Sequence, residues 1–323
     1  MKQPALQVLS KEEMDQIHHA TLQVLQNPGI LINHDRAREL CKKSGCEVDN
    51  RTKIVKFPPE LVASCLSKCP PSFTLYSRNG KKDLKMVSDR SQTNYSTFGI
   101  GVKTTHYRGP GKYEILKSTL QDVADISKIV DACDNVDEIC QPVTALDYAT
   151  AGCCRTIREV DAVVSNTVKP FWPDTEWEYM DLYKEYEDAV YSGDSEESFK
   201  KPFMMPCGCP SSPLQIDHAA AQIYTSSYDY GMPVMVLSMA MGAASAPIYL
   251  AGTLVTHNAE VIAGVVLAQL ANRGCPVMYG SSTTSFDFYC DSAPVGSPEL
   301  GLISACVAQL AQYYHLPCVV AGT

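Results

Sequence analysis

Apolar positions in the first third of the chain change period several times. Met14, Ile17, Leu22 and Leu25 recur at helical spacing, behind Ser10 and Glu13. That spacing predicts a capping box: the serine hydroxyl accepts an early helical N–H, and the carboxylate reaches back to the cap. Asn27-Pro28-Gly29 ends the helix. A second helix is predicted near residues 36–43, a strand over 53–57 that stops at Pro58-Pro59, and a helix over 60–68. Extended stretches follow at 72–77, 92–107 and 112–116, with Gly109-Pro110-Gly111 turning between the last two. Residues 1–117 therefore read as an α+β section.

From Ser118 the pattern becomes regular. Leu120, Val123, Ile126, Ile129 and Val130 mark a helix. Strands are then predicted over 138–143, 169–172, 202–206, 233–237, 276–279 and 317–320. The helices between them fall at 154–166, 176–191, 215–230, 248–270 and 298–314. Strand and helix alternate every ~35 residues, the rhythm of βα units around a parallel sheet. An open doubly wound sheet stays possible. A (β/α)8 TIM-type barrel is preferred over residues 118–323, because no strand leads into a glycine-rich phosphate loop. About six units are present where such a barrel needs eight, so it is expected to be incomplete, by on the order of 70 residues.

Charge and composition narrow the function. The 323 residues carry a net charge of −9, against a nucleic-acid partner and compatible with a cationic substrate. The most apolar run, around 261–270, is interrupted by Gly264 and Gln269, so no bilayer-spanning segment is expected. The N-terminal MKQPALQVLSKEEMDQ does not read as a signal peptide, and a cytoplasmic location is expected. Fourteen cysteines without an export signal read as free thiols, a hint of an anaerobic host. Cys207-Gly-Cys209 and Cys153-Cys154 do not make a zinc set, because structural ligands usually pair two to four residues apart and no histidine accompanies them. No metal is expected.

Several stretches resemble the trimethylamine methyltransferase family of the pyrrolysine-containing type. They are ATLQVLQNPGI (residues 20–30), FGIGVK (98–103), CPSSPL (209–214), LSMAMGAASAPIYLAGTLVTHNAEVIAGVVLAQL (237–270), YGSSTTSFD (279–287) and APVGSPELGLISA (293–305). The resemblance implies transfer of a methyl group from trimethylamine to the Co(I) of a corrinoid carried by a separate small protein. On that reading no cofactor is bound directly and the full-length protein is a homo-oligomer. In the family, the segment resembling residues 319–323 is followed by pyrrolysine, whose electrophilic imine would hold the amine nitrogen. The chain is thus expected to stop at the amber position and to be inactive alone. Relatives without pyrrolysine act on quaternary amines such as glycine betaine, and a fragment that only binds the corrinoid protein is a further alternative.

Site candidates follow from position. Glu299, at a helix start past a strand-end loop, is a candidate acid or counter-charge; a carboxylate favouring the helix dipole is the plainer reading. Glu260 is the second catalytic candidate, although a helix beginning near 248 puts it roughly 18 Å from the helix start and below the barrel mouth. Tyr95 and Phe98 offer aromatic faces to an alkylammonium. Met239, Ser281 and Ser282 fall at strand ends, where barrels bind substrate. His257 and Asn258 read as satisfied interior groups.

Overall fold

In a computed structural model the structure describes residues 6–148 and 154–322. Six parallel strands follow one another around a curved wall. Ile139–Cys140 pairs with Phe171–Trp172, and Phe171 bridges to Met204. Cys207–Gly208, Val234–Ser238, Val277–Ser281 and Cys318–Val320 then pair in that order. Ser96 and Gly101 bridge in parallel to Glu138 and Val143, extending the wall beyond its first strand.

Period-two alternation decides what each face of this wall does. Val234, Val236, Val277 and Tyr279 turn outward into a core shared with the helices. Met235, Leu237, Met278, Cys140 and Trp172 turn inward and form an interior cluster of their own. The hairpin Ser72–Leu75/Leu84–Val87 packs Leu75, Leu84 and Met86 into that interior. The outer layer is centred on the helix Leu250–Ala271, buried around its whole circumference from His257 to Gln269. Gly264 lets it lie on the sheet, since a Cβ there would sit 2.6 Å from Val236 Cγ1.

Several expectations need correction. The helix Leu250–Ala271 is long and apolar enough to span a bilayer, contrary to the sequence reading, but 72% of its apolar window is buried in this fold. Gln215–Ile216 is a strand rather than the start of a helix. It pairs with Ile30–Ile32, and Asp217 then caps the helix His218–Ser226. The predicted extended stretch 92–107 is a regular strand only at Lys103–Tyr107. The change of pattern near residue 117 does not divide the core. Ile17, Leu25, Ile30 and Val55 share one cluster with Val236, Ile262 and Leu310, and Lys11–Gln26 packs on Leu250–Ala271. The proline-glycine end of the first helix and the Ser10–Glu13 capping box are as read.

Candidate active site

The carboxyl ends of the parallel strands open into a cleft of about 960 Å³. Its wall takes Val143, Cys209, Met239 and Ser282 from positions past four of the six strands, Phe171–Trp172 and Cys318–Val320 giving none, and Phe98 from the segment beside the first. Gly99 permits this closure: a Cβ there would lie 2.6 Å from the Pro142 carbonyl oxygen. Above the strand ends a second parallel pair, Met241–Gly242 with Thr284–Ser285, raises the rim. Met239, Ile248, Tyr249, Phe288, Tyr289 and Val295, all in the loops over the strand ends, are exposed. Such a concentration of apolar surface is more typical of a docking face than of idle surface.

Phe98, Met239 and Ser282 line the cleft together. Ser282 and Thr284 line the cleft, but Ser282 Oγ and Thr284 Oγ1 are themselves buried, and neither has a hydrogen-bond partner among the described residues. Ser281 does not join them. It shares the outward parity of Val277 and Tyr279, and its Oγ accepts the Thr283 N–H at 3.2 Å. Tyr95 lies in a neighbouring cavity, which shares Phe98 with the cleft. Glu299 is exposed in the first turn of Pro298–Tyr313, behind the Ser297 cap, and is not among the cleft residues.

Glu260 sits higher than a distance count along its helix implies, level with the end of the Val234–Ser238 strand. One oxygen accepts the hydroxyls of Ser238 (2.6 Å) and Ser212 (2.8 Å), and the other accepts the Leu214 N–H (2.9 Å). Burial raises its pKa, and these three hydrogen bonds oppose the rise. Both oxygens are engaged, so the group ties the cleft loop 209–214 to the neighbouring strand rather than offering a free acid. One turn earlier, His257 Nδ1 pairs with Thr283 Oγ1 at 3.0 Å, while Nε2 has no partner. Complete burial lowers its pKa to about 3, so the ring is neutral. Asn258 is a satisfied interior group: its amide donates to Thr21 Oγ1 and Tyr314 Oη and accepts from Tyr279 Oη.

No group of three or more His, Cys, Asp or Glu with ligand geometry occurs among the described residues. Cys209 lines the cleft and Cys207 packs against the interior cluster. Cys153, the Cys154 side chain and Thr323 lie outside the described residues.

Sequence reasoning missed Glu138. It shares the inward parity of Cys140, is 5% exposed, and its Oε2 has no hydrogen-bond partner among the described residues. Burial, with a smaller contribution from Asp137, raises its pKa to about 8. An acidic residue at an inward strand position was the available signal.

Parallel strands with helices outside and a cleft at their carboxyl ends define an α/β barrel-type enzyme fold. The solved monomethylamine methyltransferase MtmB of Methanosarcina barkeri shares it, with a TM-score of 0.56 over 95% of this chain and 65% of that one, at 11% identity. The model of the trimethylamine methyltransferase (MTTB) family matches residues 1–323, and the chain belongs to that family. It is 46% identical to trimethylamine methyltransferase MttB2 of Methanosarcina mazei over 98% of this chain. It is 39% identical to trimethylamine methyltransferase MttB of Desulfitobacterium hafniense over 97% of this chain. A glycine betaine methyltransferase from the latter species is 28% identical. The chain spans 64% of the length of the Methanosarcina relative.

Proposed function

We propose that this chain forms the larger part of a cytoplasmic methyltransferase that moves a methyl group from trimethylamine to the Co(I) corrinoid of a separate protein. The observation that carries the reading is the apolar cleft at the strand ends, with its exposed apolar rim. Its volume falls within the range of small-molecule and cofactor sites. The fit is to a large face presented by a partner, to which Met239 and Val295 offer apolar contact.

When bound, the reduced corrinoid would supply the nucleophile. The chain's own task is to bind and orient the amine and to keep water from it. Methyl carbon leaves a nitrogen that keeps the bonding pair, so that nitrogen has to carry positive charge before transfer. Phe98 supplies an aromatic face suited to an alkylammonium, and Glu260 holds the loop that carries Ser211 and Ser212 at the cleft. Glu299 has no role in this scheme.

Greater similarity to trimethylamine enzymes than to the glycine betaine enzyme supports trimethylamine as methyl donor. We further propose that the barrel is completed by chain beyond Thr323 beginning with pyrrolysine, that the complete protein is a homo-oligomer, and that residues 1–323 alone bind the corrinoid protein without turnover. The relatives' greater length supports a longer complete protein. Two experiments test it. Reading the codons after Thr323 should find an in-frame amber codon followed by open frame; an ochre or opal codon with no coding sequence beyond contradicts the proposal. The purified chain should bind the Co(I) corrinoid protein yet form no dimethylamine from trimethylamine; turnover by the chain alone refutes its inactivity.

A further inference from the structure

Behind Phe98 lies a second cavity of about 420 Å³, walled by residues 92–98 on one side and 316–320 on the other, with Glu138, Trp172 and Met278 at its back. It is distinct from the cleft. The two share Phe98, but Glu138 lines only this cavity and Val143 only the cleft.

A buried carboxyl with an unpartnered oxygen is costly unless something completes it. Glu138 Oε2 is such an atom, and the backbone around it is already spoken for: Tyr95 O accepts the Asp137 N–H at 2.7 Å. Among the described lining, Arg90, Tyr95 and Cys318 are the other ionisable groups. Arg90 is exposed and donates to Gln312 Oε1, so it is not the missing partner. Metal cations such as Mg²⁺ and Ca²⁺ take six or more oxygen ligands at close range. The back wall offers one carboxylate, an indole and a thioether, a lining that suits an organic cation. Trp172 is held in place by its Nε1–H, which donates to Ser96 Oγ at 3.0 Å.

We propose that Glu138 and Trp172 form an interior binding site for a protonated methylated amine, separate from the cleft where transfer takes place. The inference rests on the methylamine reading for its choice of cation, but not on turnover. The ammonium N–H donates to the Glu138 carboxylate, and the methyl groups lie against the indole. Because burial holds the free carboxyl protonated near neutrality, binding a cation there expels that proton to solvent. Affinity therefore climbs as pH rises toward 8. Asp137, next in sequence, adds to the rise in the Glu138 pKa, and Arg90 across the cavity opposes a cation at any pH.

The test uses the whole chain in a Trp177→Phe background, which leaves Trp172 as sole indole. Trimethylammonium chloride is titrated against potassium chloride at equal ionic strength, with tryptophan fluorescence and calorimetry in two buffers as readouts. A saturable change that potassium does not reproduce is expected, with release of up to one proton below pH 8. Glu138→Gln should weaken binding about 10- to 100-fold, the range for losing a charged hydrogen bond, while Glu299→Gln leaves it unchanged. Equal affinity in Glu138→Gln, an equal response to potassium, or no saturable change each overturns the site. Should Glu138→Gln fail to fold, affinity that does not rise between pH 6 and 8 overturns it instead. Methyl transfer by the complete protein together with unaltered trimethylammonium binding in Glu138→Gln would sink this site alone. Absence of any trimethylamine-dependent transfer would sink the functional reading.

Discussion

Replacing Glu260 probes how the cleft is held. Its side chain joins three points that are distant in sequence: Ser212, Leu214 and Ser238. In Glu260→Ala the Leu214 N–H loses its acceptor in a part-buried setting, at about 1–3 kcal/mol, and the two hydroxyls lose about 1 kcal/mol each. The expected loss is about 3–5 kcal/mol, a large share of the 5–15 kcal/mol that is usual for a folded protein. Glu260→Gln keeps the shape and one carbonyl acceptor for Leu214, and serine hydroxyls accept as well as donate. It should cost about 1 kcal/mol. Urea unfolding followed by tryptophan fluorescence and circular dichroism measures both. Losses below about 1 kcal/mol for the alanine variant, or equal losses for the two, would refute the assignment of Glu260 as a tie between loop and strand.

Acid should destabilise the fold through its histidines. His257, His34 and His18 all have pKa values lowered chiefly by burial. Their contribution is complete above the ordinary value of 6.5 and is lost as pH falls. His257 alone accounts for up to about 1.4 kcal/mol per pH unit between 6.5 and its folded value near 3. Urea midpoints from pH 7.5 to 5 should fall, and less steeply in His257→Gln; identical slopes would contradict a neutral buried ring. Gly99→Ala should cost about 1–3 kcal/mol by pushing its segment off Pro142, and should shift Trp172 emission through Ser96; wild-type stability and emission would show that the approach is not tight. Met239→Lys with Phe288→Lys should abolish binding of the corrinoid protein at unchanged thermal midpoint; full binding would place the docking face elsewhere.

The repeating strands were legible because Val234–Ser238 and Val277–Ser281 are short apolar runs between turn residues, buried on both faces. Leu84–Val87 was not, since LKMV follows a polar loop and draws its pairing from a hairpin with Ser72–Leu75. Gln215–Ile216 was misread as helical because its partner is Ile30–Ile32, almost two hundred residues earlier. At the site, Met239 and Ser282 were reachable by noting which residue follows each strand. Ser281 shows the limit of that rule: a shift of one residue reverses the face. Glu260 was placed too low because counting along a helix does not reveal how far above the sheet the helix begins. Glu138 needed strand parity, which its neighbours Ile139 and Cys140 give only once one of them is known to face the helices.

The most direct test of the functional account is to make the protein, with any coding sequence found after Thr323, and supply it with the proposed corrinoid partner in the Co(I) state and trimethylamine. Methylation of the corrinoid with one dimethylamine formed per methyl transferred is the predicted result. Methylation from glycine betaine but not from trimethylamine, or none from either, would contradict it.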